Sequence, residues 1–236
     1  MSRATQWIAL KRLGLSDTAA AVVMGHAMAE SACEPNRVQG DSDPARTKSI
    51  VYTKWVDSGY VTRDEFIRNG PNGGGYGWLQ WTAHDRKAGL YDLAKKLGLS
   101  IGSEELAVKW FWLELHQAGY AEVLRALTSK TATIRQMSDV FMHRFEMPAD
   151  QSESACAYRA GLCENAYNEF AGKIEDLPTP TPENAEQAPS RAPDMSILML
   201  KTIMAGNGYW DEEINDERTD TFRQRLVEFA NDVANC

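Results

Sequence analysis

The sequence predicts an all-α protein: a mostly helical domain with one short glycine-rich loop or β-hairpin, followed by a small helical C-terminal domain. Three observations support this class. Apolar residues recur at steps of three and four through most of the chain, which is the period of a helix packed on one face. Residues 69–81 carry too many glycines for a helix. Residues 177–193 contain five prolines among polar residues, which is typical of a boundary between folding units.

The proline-rich stretch carries almost no large apolar side chain and is predicted to be a semi-rigid, extended linker. Linkers of this kind join units that fold separately. We therefore predict a large domain at residues 1–172, a linker at 173–193 and a small domain at 194–236.

The first two helices are predicted from apolar spacing and from their ends. The first contains Trp7 and stops at Gly14. For the second we expect Asp17 as the N-cap, because its carboxylate can accept a backbone N–H of the first turn. The apolar face of residues 18–30 then ends in a carboxylate, Glu30.

Three further helices complete the large domain. Ser103, followed by two glutamates, has the pattern of a helix start, and residues 134–145 have helical spacing up to the break at Pro148. The face of the last predicted helix is lined by Cys156, Arg159, Cys163, Ala166, Tyr167 and Phe170. The core is therefore expected to be entirely helical.

The small domain carries two apolar sets at helical spacing, one ending at Gly206 and one at residues 222–233. A unit of about 40 residues is marginally stable alone, so we expect it to pack unusually well, to dock on the large domain or to form a homo-oligomer. The segment Met204-Ala-Gly-Asn-Gly-Tyr-Trp210 resembles small helical cell-wall-binding repeats, which implies that Tyr209 and Trp210 contact a sugar or muropeptide. The alternative is that both rings close a miniature core.

Charge and composition exclude several classes of function. The net charge is −8, whereas nucleic-acid-binding surfaces are basic and clustered, so no nucleic-acid partner is expected. The sequence has neither an apolar run of about 20 residues nor the pattern of a signal peptide. We therefore expect synthesis as a soluble chain in the cytoplasm, without membrane insertion.

The cysteines and histidines show no metal-binding pattern. No C-x-x-C pair and no H-E-x-x-H sequence occurs, so we predict no metal and no cofactor, and a peptidase or amidase is disfavoured. On one helix, Cys156 and Cys163 would stand about 10.5 Å apart along the axis, too far for a disulfide. All four cysteines, including Cys33 and Cys236, are predicted to be free thiols.

Glu30 is the strongest candidate for an acid catalyst. A glycosidase needs a carboxylic acid that stays protonated near neutral pH, and burial raises the pKa of a carboxyl. Glu30 ends an apolar helix face, where burial and the negative end of the helix dipole act in that direction. The alternative is an exposed residue at a helix end, and periodicity does not choose between the two.

The glycine-rich segment is a candidate sugar-binding surface. Tyr76, Trp78 and Trp81 offer faces on which sugar rings can stack, and Gln80 adds directional hydrogen bonding. The alternative is a turn whose aromatics belong to the core, and we expect at least one of the two tryptophans there.

These segments resemble the phage tail lysozyme family. The resemblance covers residues 3–170 and rests on Met24-Gly-His-Ala-Met-Ala-Glu-Ser31, Cys33-Glu-Pro-Asn36, Gly75-Tyr-Gly-Trp-Leu-Gln-Trp-Thr82 and Phe145-Glu-Met-Pro148, in that order. That family is related to goose-type lysozymes and lytic transglycosylases. The resemblance implies a lysozyme-like catalytic domain that cuts the β-1,4 bond between N-acetylmuramic acid and N-acetylglucosamine.

Carried onto this sequence, the resemblance makes Glu30 the catalytic acid and Tyr76 and Gln80 part of the substrate groove. Glu146 matches a position that we interpret as structural, with an arginine as partner. The chain departs from the family at Ser31-Ala32-Cys33-Glu34, where relatives tend to continue as Gly-Leu-Asn-Pro, and in a loop at residues 39–49 that resembles an insertion.

A second catalytic carboxylate is harder to choose. Asp41 and Asp43 follow the Glu30 helix and are weak candidates, since loop aspartates are commonly solvated. Transglycosylases use the 6-hydroxyl of the muramyl residue instead, so hydrolysis and cyclisation both stay open. We predict an endolysin that acts on bacterial peptidoglycan in the cell wall, with a virion-associated enzyme, a lytic transglycosylase and a non-catalytic glycan-binding module as alternatives.

Overall fold

Helices make up nearly all of the regular structure in the computed structural model, which describes residues 3–68 and 74–173. The α-helices of these residues are α1 (Arg3–Arg12), α2 (Asp17–Ser31), α3 (Thr47–Ser58), α4 (Arg63–Arg68), α5 (His84–Leu97), α6 (Glu104–Leu115), α7 (Ala121–Leu127), α8 (Ile134–Phe141) and α9 (Glu153–Phe170). A 3-10 helix lies at Ala118–Tyr120 and a π-helix at Met142–Glu146. This part of the chain contains no β-strand, and the predicted all-α class is confirmed.

Helix α2 is the centre of the fold. It packs along α9 and also contacts α1 and α8. Its residues 19–27, mostly alanine and valine, are all buried. A helix that is apolar on every side is covered on every side, and small side chains let its neighbours come close. The carboxylate at the end of α2 is therefore carried by a tightly packed element.

The start of α2 differs from the prediction by one residue. Ser16, and not Asp17, is the N-cap, because Ser16 Oγ accepts the Ala19 N–H at 3.1 Å. Asp17 is the first helical residue, where its charge faces the positive end of the helix dipole.

The end of α2 places two consecutive non-glycine residues in the left-handed conformation, Ala32 with φ 56° and Cys33 with φ 63°. Their N–H groups donate to the carbonyl oxygens of Met28 and Ala27, both at 3.0 Å, and close the helix in a Schellman-type end. A Cβ in this conformation costs roughly 1–2 kcal/mol. Backbone strain is thus stored directly after the Glu30-Ser31 pair.

We expect Ala32→Gly to stabilise the domain by roughly 0.5–1 kcal/mol, which is the relieved left-handed penalty less the entropy of an added glycine. Ala32 is exposed, so the change removes no packing. Urea unfolding with an unchanged m-value measures the effect. Ala157→Gly, at an exposed and ordinary position inside α9, is the control and should destabilise by roughly 0.5–1 kcal/mol. Destabilisation by both substitutions would contradict the strain.

The described part of the glycine-rich segment forms a tight turn. Tyr76 and Trp81 exchange both backbone hydrogen bonds, at 3.1 and 3.0 Å, in an isolated antiparallel bridge. Gly77 and Gln80 take the left-handed conformation within the turn, with φ 84° and 47°. Val38 forms a second isolated bridge with Tyr76. The predicted loop or short hairpin is found as this bridged turn.

Helix α8 runs into the π-helix that carries Glu146. Thr133 and Gln136 form a capping box at the start of α8. The π-helix ends at Met147 in the left-handed conformation, directly before Pro148, which cannot continue a helix. The helix predicted for residues 134–145 is confirmed, with a last turn of π type, a feature that is often found at functional sites.

Cys33, Cys156 and Cys163 are free thiols, as predicted. Cys156 and Cys163 lie in the same helix, α9. No helix of the described residues has the length and apolar character needed to cross a membrane.

The remaining predictions concern residues outside the described part of the chain. These are the small domain at 194–236 with Tyr209 and Trp210, the thiol of Cys236, and all but the first residue of the linker.

Candidate active site

Glu30 is the penultimate residue of α2 and is partly shielded, with 21% of its side chain exposed. A ligand can reach such a carboxyl group, yet most of its hydration is removed. The exposed residue that the sequence offered as an alternative is not found, because most of the Glu30 side chain is shielded from water.

Arg159, in α9, is the charged partner of Glu30. Its Nη2 donates to Glu30 Oε1 at 2.5 Å, and its Nε donates to Glu146 Oε2 at 3.1 Å. The contact is long-range and depends on the packing of α9 along α2. One guanidinium therefore serves two carboxylates.

Glu146 lies in the interior, with 3% of its side chain exposed. Its Oε2 also contacts His26 Nδ1 at 2.8 Å, and the other ring nitrogen of His26 contacts Ser138 Oγ at 3.0 Å. Because an ionised carboxylate only accepts hydrogen bonds, the proton of this contact lies on Nδ1. The arginine partner that the sequence predicts for Glu146 is Arg159, and His26 is fully buried.

The two carboxyls of this site have pKa values shifted in opposite directions. Burial raises the pKa of Glu30, and the charge of Glu146 adds to this, while Arg159 and His26 oppose it only in part. Burial alone would also raise the pKa of Glu146, but His26 and Arg159 stabilise its carboxylate and the pKa is lowered. Opposite shifts of this kind are typical of neighbouring carboxyls that have different roles in acid–base catalysis.

The end of α2 is joined to the glycine-rich turn. Ser31 Oγ donates to the carbonyl oxygen of Trp78 at 2.7 Å. The loop after α2 is fastened to the same turn, since Gly77 N–H and Gln80 Nε2 both donate to the Arg37 carbonyl oxygen, at 2.7 and 3.1 Å. The Glu-Ser pair and the glycine-rich segment, which are far apart in the sequence, are therefore neighbours.

The aromatic rings of the turn point into the core, which corrects the predicted substrate contacts of Tyr76 and Trp81. Both residues are fully buried. Tyr76 Oη hydrogen-bonds Thr53 Oγ1 at 2.7 Å, and Trp81 Nε1 donates to Glu114 Oε2 at 2.8 Å. Burying large rings whose polar atoms find partners is strongly favourable, so neither presents a face to a sugar. Trp78 is buried as well.

Gln80 keeps a position at which it can contact a ligand. It is half-buried, and both of its side-chain hydrogen bonds use the amide nitrogen, with the Arg37 and Gly77 carbonyl oxygens as acceptors. Among the described residues, no group donates to its amide oxygen. That oxygen is the polar atom of the turn that a substrate hydroxyl or N-acetyl N–H could use.

Asp41 and Asp43 build their own loop, which corrects their candidacy as second catalytic carboxylates. Asp41 is buried and accepts the N–H and the hydroxyl of Ser49, at 2.9 and 2.5 Å. Asp43 accepts the N–H groups of Ala45 and Thr47, at 2.9 and 3.1 Å, at the start of α3. These hydrogen bonds lower the pKa values of both carboxyls. The carboxylates of Asp41 and Asp43 therefore stabilise the conformation of this loop.

The side chains that commonly bind metal ions are dispersed in residues 3–68 and 74–173. No group of three or more His, Cys, Asp or Glu side chains there could hold a metal ion. Burial raises the pKa of Cys33 and of Cys163 to about 12, so both stay protonated and unreactive at neutral pH.

A helical domain whose central helix ends in a shielded carboxyl, beside a bridged glycine-rich turn, agrees with a lysozyme-like fold. The family model described as phage tail lysozyme matches residues 3–170. The chain therefore belongs to the phage tail lysozyme family, and the membership predicted from its motifs is confirmed. This family points to a lysozyme-like function that acts on peptidoglycan. No curated protein matches the chain.

Proposed function

We propose that this chain is a muramidase that cuts the β-1,4 bond between N-acetylmuramic acid and N-acetylglucosamine, with Glu30 as the general acid. The observation that carries the proposal is the pair formed by Glu30 and Glu146. Glu30 is accessible and its pKa is raised, whereas the neighbouring carboxyl has a lowered pKa and is buried. A glycosidase requires an accessible carboxyl that can give a proton at the bond that breaks, and a raised pKa favours this role.

Arg159 suits the second half of the proposed reaction. When Glu30 gives its proton to the glycosidic oxygen, a carboxylate forms that already has the Arg159 Nη2 donor at 2.5 Å. The carboxylate of Glu30 can then accept a proton from the attacking group, since the acid of one step is the base of the next. A water molecule as the attacking group produces a reducing end, and the muramyl 6-hydroxyl produces an anhydro end.

We propose that water or a hydroxyl of the substrate is the attacking group and that no second catalytic carboxylate takes part. Asp41 and Asp43 are hydrogen-bonded within their own loop. Gln80, two residues after the Trp78 carbonyl that Ser31 contacts, is the proposed hydrogen-bonding residue of the groove.

We further propose that the chain acts as an endolysin, with residues 194–236 as a wall-binding or oligomerising unit. The proline-rich composition of residues 177–193 supports a modular arrangement.

Mass analysis of the fragments released from purified cell walls tests the bond that is cut. A muramidase releases fragments with reducing N-acetylmuramic acid ends. Anhydromuramyl ends would change the assignment to lytic transglycosylase, and new free amines would contradict glycosidic cleavage. Binding to walls without any released fragment would indicate a non-catalytic module.

A further inference from the structure

Arg159 provides one positive charge for two carboxylates. It touches Glu30 and Glu146 through different nitrogen atoms, Nη2 and Nε. With both carboxyls ionised, the two carboxylates carry one more negative charge than Arg159 neutralises, in a largely dehydrated place. The carboxyl with fewer stabilising contacts there holds its proton more readily.

The surroundings decide which carboxyl takes the proton. Glu146 is buried and, among the described residues, its Oε1 accepts no hydrogen bond, so its charge depends on Arg159 and His26 at Oε2. His26 is held in turn by Ser138 of α8. Glu30 keeps contact with water and has only Arg159 as hydrogen-bond partner for its carboxyl in this part of the chain.

We propose that Glu146 is a positioning residue that keeps Glu30 in its acid form by holding the charge of Arg159. An effect of Glu146 on wall cleavage rests on the proposed function. The contacts among Glu30, Arg159 and Glu146 are present in the folded chain whether or not it cleaves walls. Glu30 is faced by Arg159 from α9, by Glu146 from the π-helix and by His26 from α2 itself. Helix α8, which packs on α2 and α9, adds the neutral Ser138.

Glu146→Gln is the variant that removes the charge and keeps the shape. The amide oxygen can accept from His26 and Arg159 as Oε2 does, and the amide nitrogen takes the place of Oε1, to which no described group donates. Among the described residues, Glu30 is then the one carboxylate that contacts Arg159. A cation at this distance lowers the pKa of a carboxyl, commonly by 1–3 units, so Glu30 should ionise at lower pH.

Carbon-13 NMR of the glutamate side-chain carboxyls, assigned through their own side-chain protons, measures this titration without relying on activity. We expect the Glu30 midpoint in Glu146→Gln to fall by about one pH unit or more. Glu146→Asp keeps the charge and should lower it less. Glu153→Gln is the control and should leave it unchanged, because Glu153 lies on the surface of α9 with 81% of its side chain exposed.

An unchanged or raised Glu30 midpoint in Glu146→Gln would overturn the proposal. If that variant does not fold, the order of titration in the wild type decides, since the proposal requires Glu146 to ionise at lower pH than Glu30. In wall cleavage, the alkaline limb of the pH profile should move to lower pH by the same amount as the midpoint. Absence of wall cleavage would refute the proposed function and leave the titration test valid.

Discussion

Glu30→Gln should lower the rate of wall cleavage by roughly 10²–10⁴-fold, the usual contribution of a general acid. The amide has nearly the same shape as the carboxyl and can still accept the hydrogen bond from Arg159, but it has no proton to give to the glycosidic oxygen. The fold should survive, because Glu30 lies at the edge of the core and Arg159 keeps Glu146 as its partner. Turbidity loss of purified walls measures the rate.

Glu34→Gln is the matched control for this substitution. Glu34 is a partly exposed glutamate in the loop directly after α2, where it pairs with Arg46. Loss of a surface pair changes stability by about 1 kcal/mol or less, so wall cleavage should stay close to that of the wild type. Equal losses in the two variants would indicate damage to the loop instead of loss of an acid.

Gly25→Ala should destabilise the domain by roughly 1–3 kcal/mol or more, the cost of overpacking a tight core. A Cβ at Gly25 would lie 2.5 Å from the backbone nitrogen and the Sγ of Cys163 and 2.6 Å from its Cα. Two of these are backbone atoms, so α9 must move away from α2. Because the two helices carry Glu30 and Arg159, wall cleavage should fall as well. Urea unfolding and wall turbidity measure the two effects.

Gly161→Ala provides the comparison on the partner helix. An added Cβ there meets no atom within 4 Å, and alanine is the better helix former by roughly 0.5–1 kcal/mol. We expect a small stabilisation and full activity. A Gly25→Ala variant as stable as Gly161→Ala would refute the close packing of α2 on α9.

The parts of this molecule that follow from local patterns could be predicted. Helix α2 and the place of Glu30 near its C-terminal end follow from apolar spacing, and the break after the π-helix follows from Pro148. The face of α9 that carries Arg159 together with Cys156 and Cys163 is also predicted from the spacing of its residues. A charged residue on an otherwise apolar helix face indicates a buried ion pair, so the position of Arg159 indicates that it has a charged partner.

The partner of Arg159 could not be read from the sequence, since 129 positions separate it from Glu30. Tertiary packing alone brings the two together. Tyr76 and Trp81 are similar cases, because the same rings can stack on a sugar or fill a core, and only the surrounding helices decide. For Asp41 and Asp43 the sequence does carry a local signal of a structural role, because aspartates commonly accept backbone N–H groups two residues on in such turns.

Dependence on the leaving group tests the central claim most directly. A dinitrophenyl glycoside of the N-acetylglucosaminyl-N-acetylmuramic acid disaccharide departs without a proton, whereas the natural glycosidic oxygen needs one from Glu30. With azide as the attacking group, which has no proton to give up, we predict that Glu30→Gln cleaves the aryl glycoside within about tenfold of the wild-type rate. The same variant should cleave walls at least about 100-fold more slowly. Equal losses on the two substrates would contradict Glu30 as the general acid.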